Sequence, residues 1–429
     1  MRTRRAFLAA AATAAVAGCQ GERDGEPSGT ATEQGTATAT GTDRPSTGDT
    51  PEHVAWRQSV PGVVTFPPTV DGDRLFVGTE MGTVASLSSA AGDLDWTRTP
   101  DERIAGSPVA GNGTVLAIGR ADEPFGTETL YAFEAASGTP RWEFPSTNWW
   151  LDVVGIDGDT AYVATNDDAL GPTGETLYAL ALSDGTQRWS AEIGDPSESL
   201  RTAERLFVRA PAAVYAIDRD GRRAWRYRPE SYELRSLSAV GDALAFVTVD
   251  ASGRDVVRGL DAATGGVSWT VGELDPTTTA AVDGQLLVGG ESVASLDPAT
   301  GEPQWDADVS APLNDPPHAD GTVYVAGDEV AAVSLADGTV EWRTAVDVSL
   351  EEASDGTEIT ASPAGLLGDR LLLRRSVGED DRRYQALALD AASGDPAWTV
   401  DGESDLTQFA VADAVASAGD GERVVAFDP

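Results

Sequence analysis

The chain has 429 residues, with 70 acidic against 30 basic side chains, a formal net charge of −40, and arginine as its only basic residue besides two histidines. A surface this acidic repels nucleic acid and anionic membrane at low salt and suits a protein solvated in concentrated salt, so a nucleic-acid partner is excluded and a halophilic source inferred. The single cysteine excludes an intramolecular disulfide, which leaves packing and strand pairing to close the fold.

Residues 1–19 read as an export signal: Arg2, Arg4 and Arg5 precede an apolar run from Ala6 to Ala17 that is too short to span a membrane. Thr3-Arg4-Arg5-Ala6-Phe7-Leu8 resembles the twin-arginine motif of proteins exported folded, and Val16-Ala17-Gly18-Cys19 resembles a lipobox, with Cys19 as the lipidated residue. The alternative is a plain signal with an incidental cysteine. Residues 20–51 are Thr, Gly, Ser, Glu and Pro with few apolar side chains; they bury too little to offset ordering entropy and are expected to form a flexible tether.

From residue 52 onward the chain is repetitive. Leu296 to Trp305, LDPATGEPQW, recurs as LSSAAGDLDW, FEAASGTPRW, LALSDGTQRW, IDRDGRRAW, LDAATGGVSW, VSLADGTVEW and LDAASGDPAW. Each copy predicts an apolar strand, a corner whose Gly supplies φ > 0, and a strand carrying Trp at a fixed offset. The Trp series is Trp56, Trp96, Trp142, Trp189, Trp225, Trp269, Trp305, Trp342 and Trp398, at intervals of 36 to 56 residues, the spacing of four-stranded propeller blades. A large aromatic placed once per unit reads as a docking wedge against the neighbouring unit. In the first block the expected strands are Val63 to Val70, Leu75 to Thr79, Thr83 to Leu87 and Leu94 to Thr97. Turns such as Asp283-Gly284 and Asp320-Gly321 mark the first hairpin of a block, and no block has a long helical period.

Eight Trp-ending blocks are complete. The stretch from Gln408 to Asp428 supplies three strands without a Trp strand, and His53 to Arg57 supplies a Trp strand without the other three. One sheet closed by both ends of the propeller removes exposed edges. The expectation is an all-β propeller of eight blades, the usual upper size, with nine left open by the literal count.

Antiparallel blades send the loop between second and third strands and the link to the next blade to one face of the ring. Arg120 to Thr127, Asn166 to Glu175, Asp250 to Asp255 and Val377 to Arg382 are loops of the first kind. Phe144 to Trp150, Gly194 to Ser199, Arg228 to Tyr232 and Asp347 to Thr357 are links. All eight fall on one face, the candidate partner surface. On it Trp149 and Trp150 stand outside the docking series; they read as an aromatic platform for a sugar or peptide, or as the apolar start of an inner strand. Arg222, Arg223, Arg226 and Arg228 are the densest positive cluster, read either as a receiver for an acidic partner or as cross-strand partners of nearby acids.

Constellations for chemistry are scarce. Two histidines, His53 and His318, and no cysteine beyond Cys19 leave no set for a His/Cys metal site or a Cys-His nucleophile, and the glycines sit at hairpin turns instead of opening a helix as a phosphate loop does. No catalytic, cofactor-binding or metal residue is assigned. Asn112-Gly113-Thr114 reads equally as a glycosylation sequon and as a turn.

The recurring apolar-x-Leu-Asp-x-x-Thr-Gly-x-x-x-Trp unit resembles the tryptophan-docking repeat of pyrroloquinoline-quinone (PQQ)-like β-propellers, over residues 54 to 429. That family holds PQQ-dependent dehydrogenases of alcohols and sugars as well as cofactor-free scaffolds, and lipobox, tether and bare propeller together resemble a BamB-like lipoprotein layout of haloarchaeal type. The vicinal disulfide of the alcohol dehydrogenases has no cysteines here, and none of their calcium ligands aligns. The resemblance therefore implies a non-enzymatic scaffold without cofactor, lipid-anchored to the outer face of the cytoplasmic membrane and binding an extracytoplasmic or membrane protein. The alternatives are a dehydrogenase holding PQQ with calcium, and a cell-surface carbohydrate-binding protein.

Overall fold

The computed structural model describes residues 52–100, 102–121, 127–146, 150–166, 176–193, 198–202, 204–210, 212–230, 233–327, 329–345, 359–377, 383–401, 406–412 and 415–429. The expected signal, its Cys19 and the tether lie outside them. Among the described residues every regular element is a strand, and no helix is long and apolar enough to cross a membrane.

The strands form nine sheets, each an antiparallel meander apart from the closing one. Blade 1 covers 69–98, blade 2 103–145, blade 3 150–192, blade 4 198–227, blade 5 234–271, blade 6 276–307, blade 7 318–345 and blade 8 359–401. Blade 9 joins Leu406–Ala412, Val415–Asp420 and Arg423–Phe427 to Val54–Ser59, which pairs antiparallel with Arg423–Phe427. The expectation of eight blades is thus corrected to nine. No block is defective, so every Trp-ending block completes a sheet and the two partial stretches complete one more. A second correction falls in blade 1, whose inner strand is only Thr69–Asp71, while Val64 makes an isolated bridge to Thr79. Pro67 and Pro68 have no N–H to give to a ladder there.

Each junction between blades is filled by one apolar cluster. Leu287 and Val293 of blade 6 meet Val323 and Val333 of blade 7, and Leu75 and Val77 of blade 1 meet Val424 of blade 9. The clusters continue from blade to blade through blades 8 and 9. Strand alternation explains them, since a central strand of a propeller blade is covered on both faces and reads as a nearly unbroken apolar run, as in Leu75-Phe76-Val77 or Val323-Tyr324-Val325.

The outer strands share a detail that the repeat pattern does not announce. In all nine the pairing register slips one residue before the Trp, as between Pro303 and Trp305 or Val54 and Trp56. Such a bulge adds local twist and re-aims the next side chain, here the indole, toward the following blade.

Candidate binding face

The docking contact is built from two halves of neighbouring repeats. In blade 6 the Asp297 carboxylate accepts the amides of Ala299 and Thr300, each at 2.9 Å, and the Gly301 amide closes the turn onto the Asp297 carbonyl at 2.8 Å. These donors hold the Asp297 carboxyl below the ordinary range, the Thr300 amide first. Gly301 has φ +75°, and a Cβ built there would lie 2.7 Å from the Trp269 indole of blade 5. Only glycine admits both the backbone conformation and the ring. The same turn offers its Pro298 carbonyl to Trp269 Nε1 at 2.9 Å. From Trp56 to Trp342 the pattern repeats eight times, with Nε1 to carbonyl distances between 2.8 and 3.1 Å.

The ninth contact differs. Trp398 Nε1 is buried without a hydrogen-bond partner among the described residues, and its ring stacks on His53, with centroids 5.3 Å apart and planes 10° from parallel. His53 itself sits at φ +69° and accepts the Asp428 amide through its carbonyl. No turn connects Arg423–Phe427 to Val54–Ser59, so the place of the turn glycine is taken by an imidazole.

Of the long loops and links, Asp250 to Asp255 is fully described. Its Asp250 carboxylate accepts the Ser252 hydroxyl at 2.6 Å and the Ser252 and Arg254 amides at 2.8 and 3.1 Å, which lower its pKa to about 2. Most residues of the remaining seven segments lie outside the described ones. Trp149 is among these, and of Trp150 only the backbone is described, opening the inner strand Trp150–Asp157 opposite Asn166.

Beneath that entrance lies a group that sequence reasoning missed. Glu128 is buried at the start of the third strand of blade 2, where it receives Arg120 at 2.6 Å and the Leu151 amide of blade 3. Burial nevertheless pushes its carboxyl up. Nearby, Glu102 accepts the Thr129 hydroxyl at 3.3 Å through one oxygen, while its other oxygen is buried without a partner among the described residues; burial first, then Glu128 and Glu143, raise this carboxyl too. The arrangement ties the third strand of blade 2 to the Leu151 amide at the start of blade 3. No signal in the repeat could reveal it, because the burial arises only when two blades meet.

The other singled-out residues are dispersed. His318 lies at a recess of about 260 Å³ on the inner strands of blades 7 to 9, with Pro316, Pro317, Leu366 and Val411 around it and the Asp283 carboxylate 3.7 Å away. No group of three or more potential metal ligands occurs among the described residues. Asn112 and Gly113 form a hairpin turn with φ of +50° and +70°, and the Asn112 side-chain nitrogen donates to the Gly158 carbonyl of blade 3, which favours the turn reading over the sequon. Arg222 meets Asp220 at 2.7 Å and Arg226 lies over the Tyr215 ring at 4.9 Å; no acidic partner of Arg223, Arg226 or Arg228 occurs among the described residues.

A family model described as outer membrane protein assembly factor BamB matches residues 46–203, 126–288, 199–312 and 289–429, which together span the whole propeller. The chain belongs to this PQQ-like β-propeller repeat family. BamB from Moraxella catarrhalis is similar in structure at 16% identity, covering 87% of this chain and 100% of that one with a TM-score of 0.50. The computationally designed protein Ika8 is similar at 11% identity over 87% and 98%, TM-score 0.51, and Saccharomyces cerevisiae Sqt1 at 12% over 87% and 97%, TM-score 0.50. At such identities the structural likenesses speak for the fold alone. No curated protein matches the sequence.

Proposed function

We propose that the protein is a non-enzymatic scaffold, exported, lipid-anchored through Cys19 outside the cytoplasmic membrane, that binds a partner protein through the loop-rich face of its propeller. The observation that carries this reading is the match of the whole repeat region to the model of an outer membrane protein assembly factor. The face itself supports it: rigid blades, bridged by buried clusters and indole contacts, hold loops of unequal length on one side while hairpins such as Asp283-Gly284 keep the other side short. Trp149 and Trp150, next in sequence to the Leu151 amide held by Glu128, are proposed as part of the binding surface.

The test is to add PQQ and calcium to the purified protein in high salt and follow Trp fluorescence together with dye-linked oxidation of alcohols and sugars. The scaffold reading expects neither saturable quenching nor turnover, and tight binding with turnover overturns it. Glycan binding abolished by Trp149→Ala and Trp150→Ala without unfolding would overturn it in favour of a carbohydrate-binding protein.

A further inference from the structure

The outer strands of the nine blades form a set of internal controls. Each is the last strand of its sheet, so one row of its backbone N–H and C=O groups has no strand beside it. Leu94–Arg98, Pro140–Pro145, Gln187–Glu192, Val267–Val271 and Val340–Ala345 carry no net charge; Pro303–Ala307 and Pro396–Asp401 carry one acid each, and Val54–Ser59 one arginine. Arg223–Tyr227 of blade 4, RAWRY, carries two arginines and no acid, and Arg222 and Arg228 flank it directly.

Four positive charges along one strand, in a chain of net −40, would be expected to draw carboxylates. Elsewhere they do: Arg74 meets Asp95, Arg188 meets Asp159 and Arg370 meets Asp390. Of these four arginines only Arg222 has such a partner among the described residues, Asp220. Arg223, Arg226 and Arg228 are exposed, and Arg258 of blade 5 adds a further guanidinium, donating to the Tyr227 hydroxyl at 2.7 Å, with its Nε buried and without a partner among the described residues. Shielding a sheet edge against unwanted pairing explains a charge there, but not its sign, since acids would shield equally well and are the residues this chain has in excess.

We propose that the outer edge of blade 4 docks an extended acidic segment of a partner polypeptide, added beside Arg223–Tyr227 as a fifth strand. Backbone pairing supplies the generic affinity, and carboxylates at alternate positions of the incoming strand reach the guanidinium groups, whose planar fork suits them. Five residues of strand span about 17 Å, room for two or three such contacts on one face. In concentrated salt the Debye length shrinks to about 3 Å, so the repulsion of the distant acids fades while direct guanidinium–carboxylate contacts persist. The edge runs along the outer strand of blade 4 and reaches the loop-rich face only at Arg228, where the link to blade 5 begins, so a peptide test addresses the edge and not the partner binding proposed for that face.

The probe is a fluorescent octapeptide of alternating Asp and Val, titrated with the full-length protein in concentrated salt and followed by anisotropy, beside a Lys-Val octapeptide. Wild type is expected to bind the acidic peptide and not the basic one. Substituting Arg222, Arg223, Arg226 and Arg228 by Glu weakens binding by about tenfold or more. Arg223→Gln with Arg228→Gln, a milder pair that spares the Arg226–Tyr215 contact, weakens it severalfold, and Gln187→Glu on the outer edge of blade 3 leaves it unchanged. Near-UV circular dichroism of the docked indoles verifies that each variant is folded. Unchanged affinity in the folded Arg variants, or equal binding of the basic peptide, overturns the proposal. So does equal, Arg-dependent binding of duplex DNA or anionic vesicles, or a concentration-dependent dimer that the same substitutions dissolve.

Discussion

Eight of the nine junctions between blades are closed by an indole lying on a glycine and donating to a carbonyl of the same turn; at the ninth, Trp398 lies on His53 and donates to nothing among the described residues. The first kind is a two-part lock whose halves sit in consecutive repeats, with the turn glycine serving both backbone and ring. The ninth keeps the wedge and replaces the lock, because its third and outer strands come from opposite ends of the propeller. Apolar packing is shared by both kinds: Trp398 is 4% exposed and packs with Leu406, Ala418 and Phe427. Packing of the indole against an apolar cluster is thus common to all nine, with Trp96, Trp142, Trp269 and Trp398 buried and the other five partly buried, whereas the hydrogen bond is lost at the ninth.

That contrast can be broken at several levels. The largest expected effect is loss of a whole wedge: Trp142→Ala removes a side chain that is 9% exposed and should cost about 3–5 kcal/mol in denaturant unfolding, with Trp398→Ala similar, if burial dominates at both. Next comes the glycine beneath the ring. Gly185→Ala places a Cβ 2.8 Å from the Trp142 indole at φ +71° and should cost about 1–3 kcal/mol, whereas His53→Ala at the seam loses only a stacked ring, about 0.5–1.5 kcal/mol. A reversed order would mean that the imidazole, not the glycine, is the tighter fit.

Smaller still is the indole N–H. Trp142 Nε1 donates to Leu182 at 2.8 Å and Trp398 Nε1 to none, so Trp142→Phe should lose about 1 kcal/mol more than Trp398→Phe. Equal losses would show that the hydrogen bond contributes nothing at the locked junctions. The smallest effect is in pH dependence. Turn carboxylates such as Asp297, Asp261 and Asp390 are held below their ordinary range by turn amides and hydroxyls, so their stabilisation is present above the unfolded carboxylate range and lost as pH falls through the folded values. Asp297→Asn should flatten the acid limb of a stability–pH curve. Glu128, raised by burial, acts with the opposite sign, its stabilisation being lost as pH rises through the folded value.

The repeat made the propeller readable because eight blades restate the same physical demands: a Gly where φ is positive, an Asp or Ser to accept turn amides, an aromatic at one offset. Blade number was legible in the literal count, eight Trp-ending blocks plus the sheet shared by His53 to Arg57 and Gln408 to Asp428, and was passed over only because eight is the usual upper size. Buried Glu128 and the missing acid partners of Arg223, Arg226 and Arg228 were out of reach. Both follow from which side chains neighbouring strands and blades bring near, while composition counts carboxylates without placing them. Pro67 and Pro68 were visible, but their effect on the inner strand of blade 1 was overridden in the reading by the apolar run around them.

The central claim, that one face of this ring holds a partner protein, is tested most directly by photo-crosslinking in intact cells from two positions on the same blade. Ser252 is exposed on the loop between second and third strands of blade 5, and Asp242 on the hairpin at its opposite end. A photoreactive residue at Ser252 should yield a discrete crosslinked protein that one at Asp242 does not. Equal crosslinking from both positions, or crosslinking from Asp242 alone, would contradict the account.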